Sequence, residues 1–246
     1  MSEFRYVITG LGNLAWHLER MLRSSGISPA LLKSDWNQNG FSSNEYQSFD
    51  YADCIVFLTV RDDSIESLAK RFKNAFLVHC SGSRSLELFP ENRGAVLWPV
   101  QTFSRGVEMD YGNIPFVLEC KLDVLRLELL KRFSAISDRV YCLDSYSRIQ
   151  FHLAAVIAQN FSNRLLAEAD VILRKIDMDY SVLLPLMMGS LRKLESLPPI
   201  EAQTGPAVRG DFGVLNSHLK MCSHDSDIMN IYRLLSSRIN PSFKHE

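Results

Sequence analysis

Gly10-Leu11-Gly12-Asn13-Leu14-Ala15 has the residue types and spacing to hold a phosphate group. The pattern G-x-G-x-x-A follows the apolar run Tyr6-Val7-Ile8-Thr9 and opens a helical pattern, the strand–turn–helix setting of a dinucleotide site. A glycine at 10 permits a tight turn. One at 12 lets the backbone approach a pyrophosphate, and Ala15 is small enough for close helix–strand packing. The helix N-terminus adds free N–H groups and a partial positive charge. About 20 residues further on, an Asp or Glu would bond the ribose 2′-hydroxyl of NAD. Here Lys33-Ser34 stand ahead of Asp35. A cation and a hydroxyl suit a 2′-phosphate, so NADP is the expected cofactor, and Asp35 leaves NAD open.

Ligands of open sheets lie outside the carboxyl ends of the strands, so the loops after later strands belong to the same crevice. Thr59, Val60, Arg61 and Ser81 are expected at the cofactor. His79, an acid or base near neutral pH, and Gln101 are expected at a substrate. A second constellation lies on one helix face. With His152 at zero on a wheel of about 100° per residue, Gln159, Asn160 and Asn163 fall at about −20°, 80° and 20°. Leu153, Ile157, Phe161 and Leu165 occupy the other side. A solvated stripe usually carries Lys and Glu. Neutral amides and an imidazole suit a half-buried cleft offering directed hydrogen bonds. The third feature is Gln203-Thr204-Gly205-Pro206-Ala207-Val208-Arg209-Gly210-Asp211, where Arg209 can clamp an anion and Asp211 can orient it. His152, Asn160 and Arg209 are the expected catalytic residues, and Asn163, Thr204 and Asp211 join the substrate site.

Two kinds of element must position these residues. Up to about residue 146, short apolar runs such as Cys54-Ile55-Val56-Phe57-Leu58-Thr59-Val60 alternate with helical patterns. That rhythm predicts a Rossmann-like, doubly wound, mostly parallel sheet over 1–146. From 147 to 246 strand signals cease, and long helical spacings over 147–176, 180–197, 214–222 and 227–239 predict an all-helical second domain. Pro185 is expected to start or kink its helix. The first two of these helices carry more apolar residues than so small a domain covers alone, which predicts a homodimer through the helical domain.

Composition narrows the function classes. Twenty-seven basic against 28 acidic residues leave no positive excess for a nucleic-acid backbone. The five cysteines contain no C-x-x-C pair, which argues against a disulfide framework and a thiolate metal site and suits mostly buried, reduced thiols in a cytoplasmic protein. The start reads as a strand rather than a signal peptide, and no apolar run approaches the ~20 residues that span a membrane.

Together HLAAVIAQNFSN (152–163), LLPL (183–186) and AQTGPAVRGD (202–211), with GLGNLAWHL, LTVRDDSI, HCSGS and PVQTF in the first part, carry a further indication. The chain resembles bacterial proteins that join a Rossmann-like domain to the helical domain of unknown function 2520. Those proteins are commonly labelled NADP oxidoreductases and are related to deazaflavin-dependent NADP reductases, ketopantoate reductase, pyrroline-5-carboxylate reductase and β-hydroxyacid dehydrogenases. The resemblance implies a helical domain like the C-terminal domain of 6-phosphogluconate dehydrogenase, often a dimer contact, and reduction of a small polar carbonyl or imine in an interdomain cleft. Two departures stand out. In the β-hydroxyacid dehydrogenases a Lys lies one turn before the position matching Asn160, and here that position is Val156. Trp98 stands where many relatives have His or Tyr. The missing lysine leaves a second expectation, an NADP-binding sensor without catalysis.

Overall fold

The computed structural model of the protein describes residues 4–32, 36–37, 40–41, 50–72, 74–89 and 93–244. It divides into two compact units, Met1–Ala158 and Gln159–Glu246.

The first unit is built on a seven-stranded sheet in the order β2-β1-β5-β6-β7-β8-β9. Its strands are β1 (Arg5–Thr9), β2 (Ala30–Leu32), β5 (Cys54–Leu58), β6 (Phe76–His79), β7 (Gly94–Pro99), β8 (Phe116–Cys120) and β9 (Val140–Cys142); β3 (Trp36–Asn37) and β4 (Gly40–Phe41) form a separate two-stranded ribbon. β5 is wholly buried because both sheet faces are covered. Cys54, Val56 and Leu58 enter one core, and Ile55 and Phe57 the other. A strand covered on both sides reads as an unbroken apolar run, the pattern its sequence shows. The first five strands in the order are parallel, as expected. β8 then runs antiparallel to β7, and β9 runs parallel to β8. The reversal lies at the sheet edge remote from β1.

Helix α1 (Asn13–Ser24) buries Ala15, Leu18, Met21 and Leu22, one face at helical spacing, and ends before Gly26, whose φ of +80° only glycine adopts easily. Its buried His17 meets the Tyr111 hydroxyl at 2.9 Å and the Ser104 carbonyl at 3.0 Å, tying the segment after β7 to α1. The short α2 (Ile65–Ala69) follows β5. α3 (Asp123–Ser134) buries Leu125, Leu129 and Phe133, spaced four apart, on the second core. α4 (Ser145–Ala155) also packs on this unit, through Phe151 and Ala155 against the first core.

A π-helical segment, Val156–Phe161, comes after α4 and contains the division between the units. The second unit continues through α5 (Ser162–Arg174), α6 (Leu184–Lys193), α7 (Pro199–Ala202), α8 (Pro206–Arg209), α9 (Phe212–Met221) and α10 (Ser226–Ile239). Pro185 sits in the first turn of α6, where its missing N–H costs nothing, so it starts the helix and does not kink it. The Gly-Pro stretch holds a single helical turn, α8, entered at Pro206 and closed by Gly210 in the left-handed region. Ala207, Leu215, Leu219 and Phe243 form a small core. No helix among the described residues is long and apolar enough to cross a membrane.

Candidate functional site

β1 has β2 on one side and β5 on the other, so the chain reverses its direction of winding there. The carboxyl ends of β1 and β5 are therefore the crevice of this sheet. Gly10 closes β1 with a φ of +97°, and its N–H donates to the Leu32 carbonyl at 3.0 Å. A Cβ there would lie 2.9 Å from the Thr59 carbonyl oxygen, so backbone shape and crowding both require glycine. Thr59 in turn donates its hydroxyl to the Thr9 carbonyl. Gly12 is different. Its backbone is ordinary, with φ −71°, and a Cβ would meet nothing within 4 Å. No packing among the described residues demands glycine at 12. It is the N-cap of α1, offers no side-chain cap, and has no acidic residue in the helical turn after it. The result is open space over an uncapped helix N-terminus, the arrangement an anion fits.

Around this cradle, Leu11 is half exposed, Leu14 partly buried and Ala15 buried against the sheet. Asn13 Oδ1 accepts the Arg105 N–H at 3.2 Å, a second tie between α1 and the loop after β7. Val60 is partly buried, and the exposed Arg61 pairs with Asp63 at 3.3 Å. Lys33 and Ser34, expected at the 2′-phosphate, lie outside the described residues.

The loop after β6 is held by its own Ser81 and by Asp62 of the loop after β5. Ser81 Oγ donates to Asp62 Oδ2 at 2.6 Å and accepts from the N–H groups of Ser83 and Arg84. Its donor is thus committed inside the protein, and Ser83 Oγ reaches the same carboxylate oxygen at 3.3 Å. His79 is fully buried beside Phe89, and its Nδ1 accepts the Ser81 N–H at 3.2 Å. Nε2 makes no hydrogen bond of good geometry, although the Ser85 backbone lies close enough to favour its protonation somewhat. Burial outweighs that and, with the charges of Arg148 and Arg84, pulls the imidazole down to about 4. His79 is therefore a neutral packing and turn-ordering group at neutral pH, closed off from any substrate in this conformation. That corrects the expectation of an accessible acid or base at 79.

His152 lies on α4, partly buried, with its ring 5.3 Å from that of Trp98. Gly82 fills the space between them: a Cβ on it would fall 2.4 Å from His152 Cδ2 and 2.8 Å from Trp98 Cε2. Trp98 also packs on Phe151 at 5.5 Å. Among the described residues, neither His152 ring nitrogen takes a hydrogen-bond partner, which leaves both able to exchange a proton with a ligand. Gln101 is exposed, and its Oε1 accepts the Thr102 N–H at 2.8 Å. Trp98 and Gly82 were not identifiable as parts of this wall from sequence, because aromatic and glycine residues at strand ends read first as core and turn.

In the second unit, Arg209 donates from Nε at 2.9 Å and from Nη2 at 2.8 Å to the same Asp211 oxygen, the orienting pair the spacing suggested. Thr204 accepts a hydrogen bond at its carbonyl from Gln203. Asn160 and Asn163 are exposed. The wheel that grouped them with His152 assumed an unbroken α-helix. The π segment Val156–Phe161 winds more loosely than an α-helix, so a wheel of about 100° per residue does not apply across it. Angular phase therefore no longer links the two asparagines to His152.

Comparison with known proteins places this geometry. The model of the domain of unknown function DUF2520 matches residues 114–239. No curated protein matches. Among solved structures, a Bacteroides fragilis protein described as a candidate NADP oxidoreductase is 29% identical over 97% of this chain and 98% of its own, with a TM-score of 0.84. A Thermotoga maritima protein is 23% identical over 96% of this chain and 97% of its own, with a TM-score of 0.72. Pyrroline carboxylate reductase from Plasmodium falciparum, solved with NADP bound, is 12% identical over 98% of this chain and all of its own, at a TM-score of 0.56, which speaks for the fold alone. A Rossmann-like sheet followed by a helical unit is the architecture, and with more than half of its length matched by that one family model, the chain belongs to the DUF2520 family.

Proposed function

We propose that this protein is an NADP-dependent oxidoreductase acting on a small polar carbonyl, imine or alcohol. The observation that carries the reading is the open, uncapped N-terminus of α1 behind Gly10-Leu11-Gly12, at the point where the sheet reverses its winding. The name of the Bacteroides fragilis relative agrees with it.

Gly10, Leu11, Gly12, Asn13, Leu14 and Ala15 hold the pyrophosphate. Lys33 and Ser34 receive the 2′-phosphate and favour NADP over NAD. Thr59, Val60, Arg61 and the Ser81 turn flank the cofactor. When bound, the nicotinamide supplies or accepts the hydride. The protein has to move the accompanying proton, and His152, with both ring nitrogens open, is the group assigned to it. Trp98 shields one side of that imidazole from water. Asn160 and Asn163 orient a substrate oxygen or nitrogen, Arg209 binds an anionic group with Asp211 steadying it, and Gln101 and Thr204 complete the polar set. A panel of small carbonyls, imines and alcohols assayed with NADPH or NADP tests the reading. Turnover that His152→Gln slows by about 100-fold, within the range typical of a lost general acid, is the expected result.

Val156, which carries no proton where related enzymes have Lys, favours a second reading: an NADP-binding sensor. Tight NADPH binding with no turnover across the panel would establish it.

The protein acts as a homodimer in this account. Between Ser134 and Pro206, none of the described hydrophobic side chains is buried. Phe161 is 55% exposed, Leu186 68% and Ile200 84%. Single exposed apolar residues are unremarkable, but α5, α6 and α7, which fully bury no residue, need a cover, and a second copy supplies one. The five cysteines are free and range from buried Cys54 to exposed Cys142, less buried than expected; they suit a reducing compartment such as the cytoplasm.

A further inference from the structure

Among the described residues, the largest fully buried side chain is a charged one, Arg148, one turn before His152 on α4. Its Nε donates to Glu119 Oε2 of β8 at 2.7 Å, and that carboxylate is itself nearly buried. Glu119 Oε1 accepts the Ser145 hydroxyl. The rest of the guanidinium is directed at one loop: Nη1 donates to the Gly82 carbonyl at 2.6 Å and more weakly to that of Ser81 at 3.5 Å, and Nη2 donates to the Arg84 carbonyl at 2.8 Å.

A buried ion pair is a poor source of stability, because removing both charges from water offsets most of their attraction. Stability alone would be served as well by an apolar pair of the same size. What a guanidinium does that an apolar side chain cannot is fix several acceptors in one rigid fork. Here the acceptors are the carbonyls of Ser81, Gly82 and Arg84, on the loop after β6. Gly82 is also the residue whose α-carbon touches His152 and Trp98 so closely that a methyl group would collide. Arg148 therefore grips the loop from one side while His152, four residues on and on the same helix face, rests on it.

We propose that Arg148 is a positioning residue: with Glu119 and Ser145 it locks α4 in register on the Ser81–Arg84 loop and so fixes the imidazole of His152 and the loop's approach to the cofactor. The proposal rests on the assignment of His152 to proton transfer, but its geometric half stands without it. Arg148 belongs to none of the motifs read from sequence.

The test compares Arg148→Lys with Glu128→Gln on α3, which weakens a comparably short ion pair to Arg132 and the bond from the Tyr6 hydroxyl; α3 packs on the second core, whereas α4 packs on the first. Lysine keeps the charge but cannot span Glu119 and three carbonyls. The readouts are the His152 imidazole resonances, the rate of His152 modification by diethyl pyrocarbonate, and the NADPH dissociation constant. Arg148→Lys should shift the resonances, raise the modification rate by about tenfold and weaken NADPH by about tenfold, the scale of one well-formed buried hydrogen bond. Glu128→Gln should lower only the melting temperature. Unchanged resonances, reactivity and affinity in Arg148→Lys would overturn the proposal, as would equal changes in Glu128→Gln. If Arg148→Lys does not fold, Ser145→Ala, which removes one hydrogen bond to Glu119, is judged by the same criteria at smaller amplitude. Adding NADPH to the wild type separates the two ideas: resonances that do not respond would refute the role of His152 in the proposed function and leave the positioning by Arg148 to stand or fall on the variants.

Discussion

Three glycines do three different things here, and only one of them points outward. Gly10 is required by its own backbone and by Thr59, Gly82 by His152 and Trp98, and Gly12 by nothing among the described residues. Gly82→Ala should therefore destabilise the fold by roughly 1–3 kcal/mol, the usual cost of overpacking, with the His152 and Trp98 rings displaced; chemical denaturation and Trp fluorescence check it. The phosphate motif was legible because it is local, six residues in a row. The burial of His79 was not, because it is set by tertiary packing, with Phe89 against its ring and the Arg148 charge brought up from α4. That burial has a measurable consequence. Native His79 resists protonation until about pH 4, whereas the unfolded residue titrates near 6.5, so the unfolded chain binds more protons between those values. Its contribution is complete above about pH 6.5 and is lost as the pH falls towards 4, on the order of 3 kcal/mol in all. The difference in unfolding free energy between wild type and His79→Gln should change across that window and be flat above it.

At the scale of elements, strands and helices with a clear apolar rhythm were readable: β5 from its unbroken run, and α1 from Ala15, Leu18, Met21 and Leu22. Three features were not. The reversal of β8 is a matter of pairing, which period-2 and period-3.6 patterns do not encode. The one-turn α8 hides in a Gly-Pro stretch whose composition reads as a turn. The π segment differs from an α-helix by one residue in its winding, and no residue type marks it. The same limit hid α4's place in the first unit, since Arg148 and Phe151 anchor it through side chains, not through a linker signal. One inter-element tie can be tested by itself. His17→Phe would leave the Tyr111 hydroxyl and the Ser104 carbonyl without their buried partner, so it should cost about 1–3 kcal/mol in unfolding free energy.

For the molecule as a whole, the exposed apolar faces of α5 and α6 set the expectation. Light scattering should give a mass twice the chain's 28.0 kDa at micromolar concentration, and Phe161→Glu or Leu186→Glu should shift it towards that of one chain. The fold class was legible in the order of elements and the glycine motif together, while the substrate of the proposed reaction was not, because its recognition would depend on where exposed polar groups of distant segments come to lie. The proposed function stands or falls on α1 presenting an open anion site to NADP. Its most direct test is titration of NADPH, monitored by nicotinamide fluorescence, into wild type and Gly12→Val. Wild type should bind NADPH more tightly than NADH, whereas Gly12→Val should stay folded, at a cost of about 1 kcal/mol because Val caps a helix less well than Gly, and bind neither nucleotide. A folded Gly12→Val protein that binds NADPH as the wild type does would contradict it.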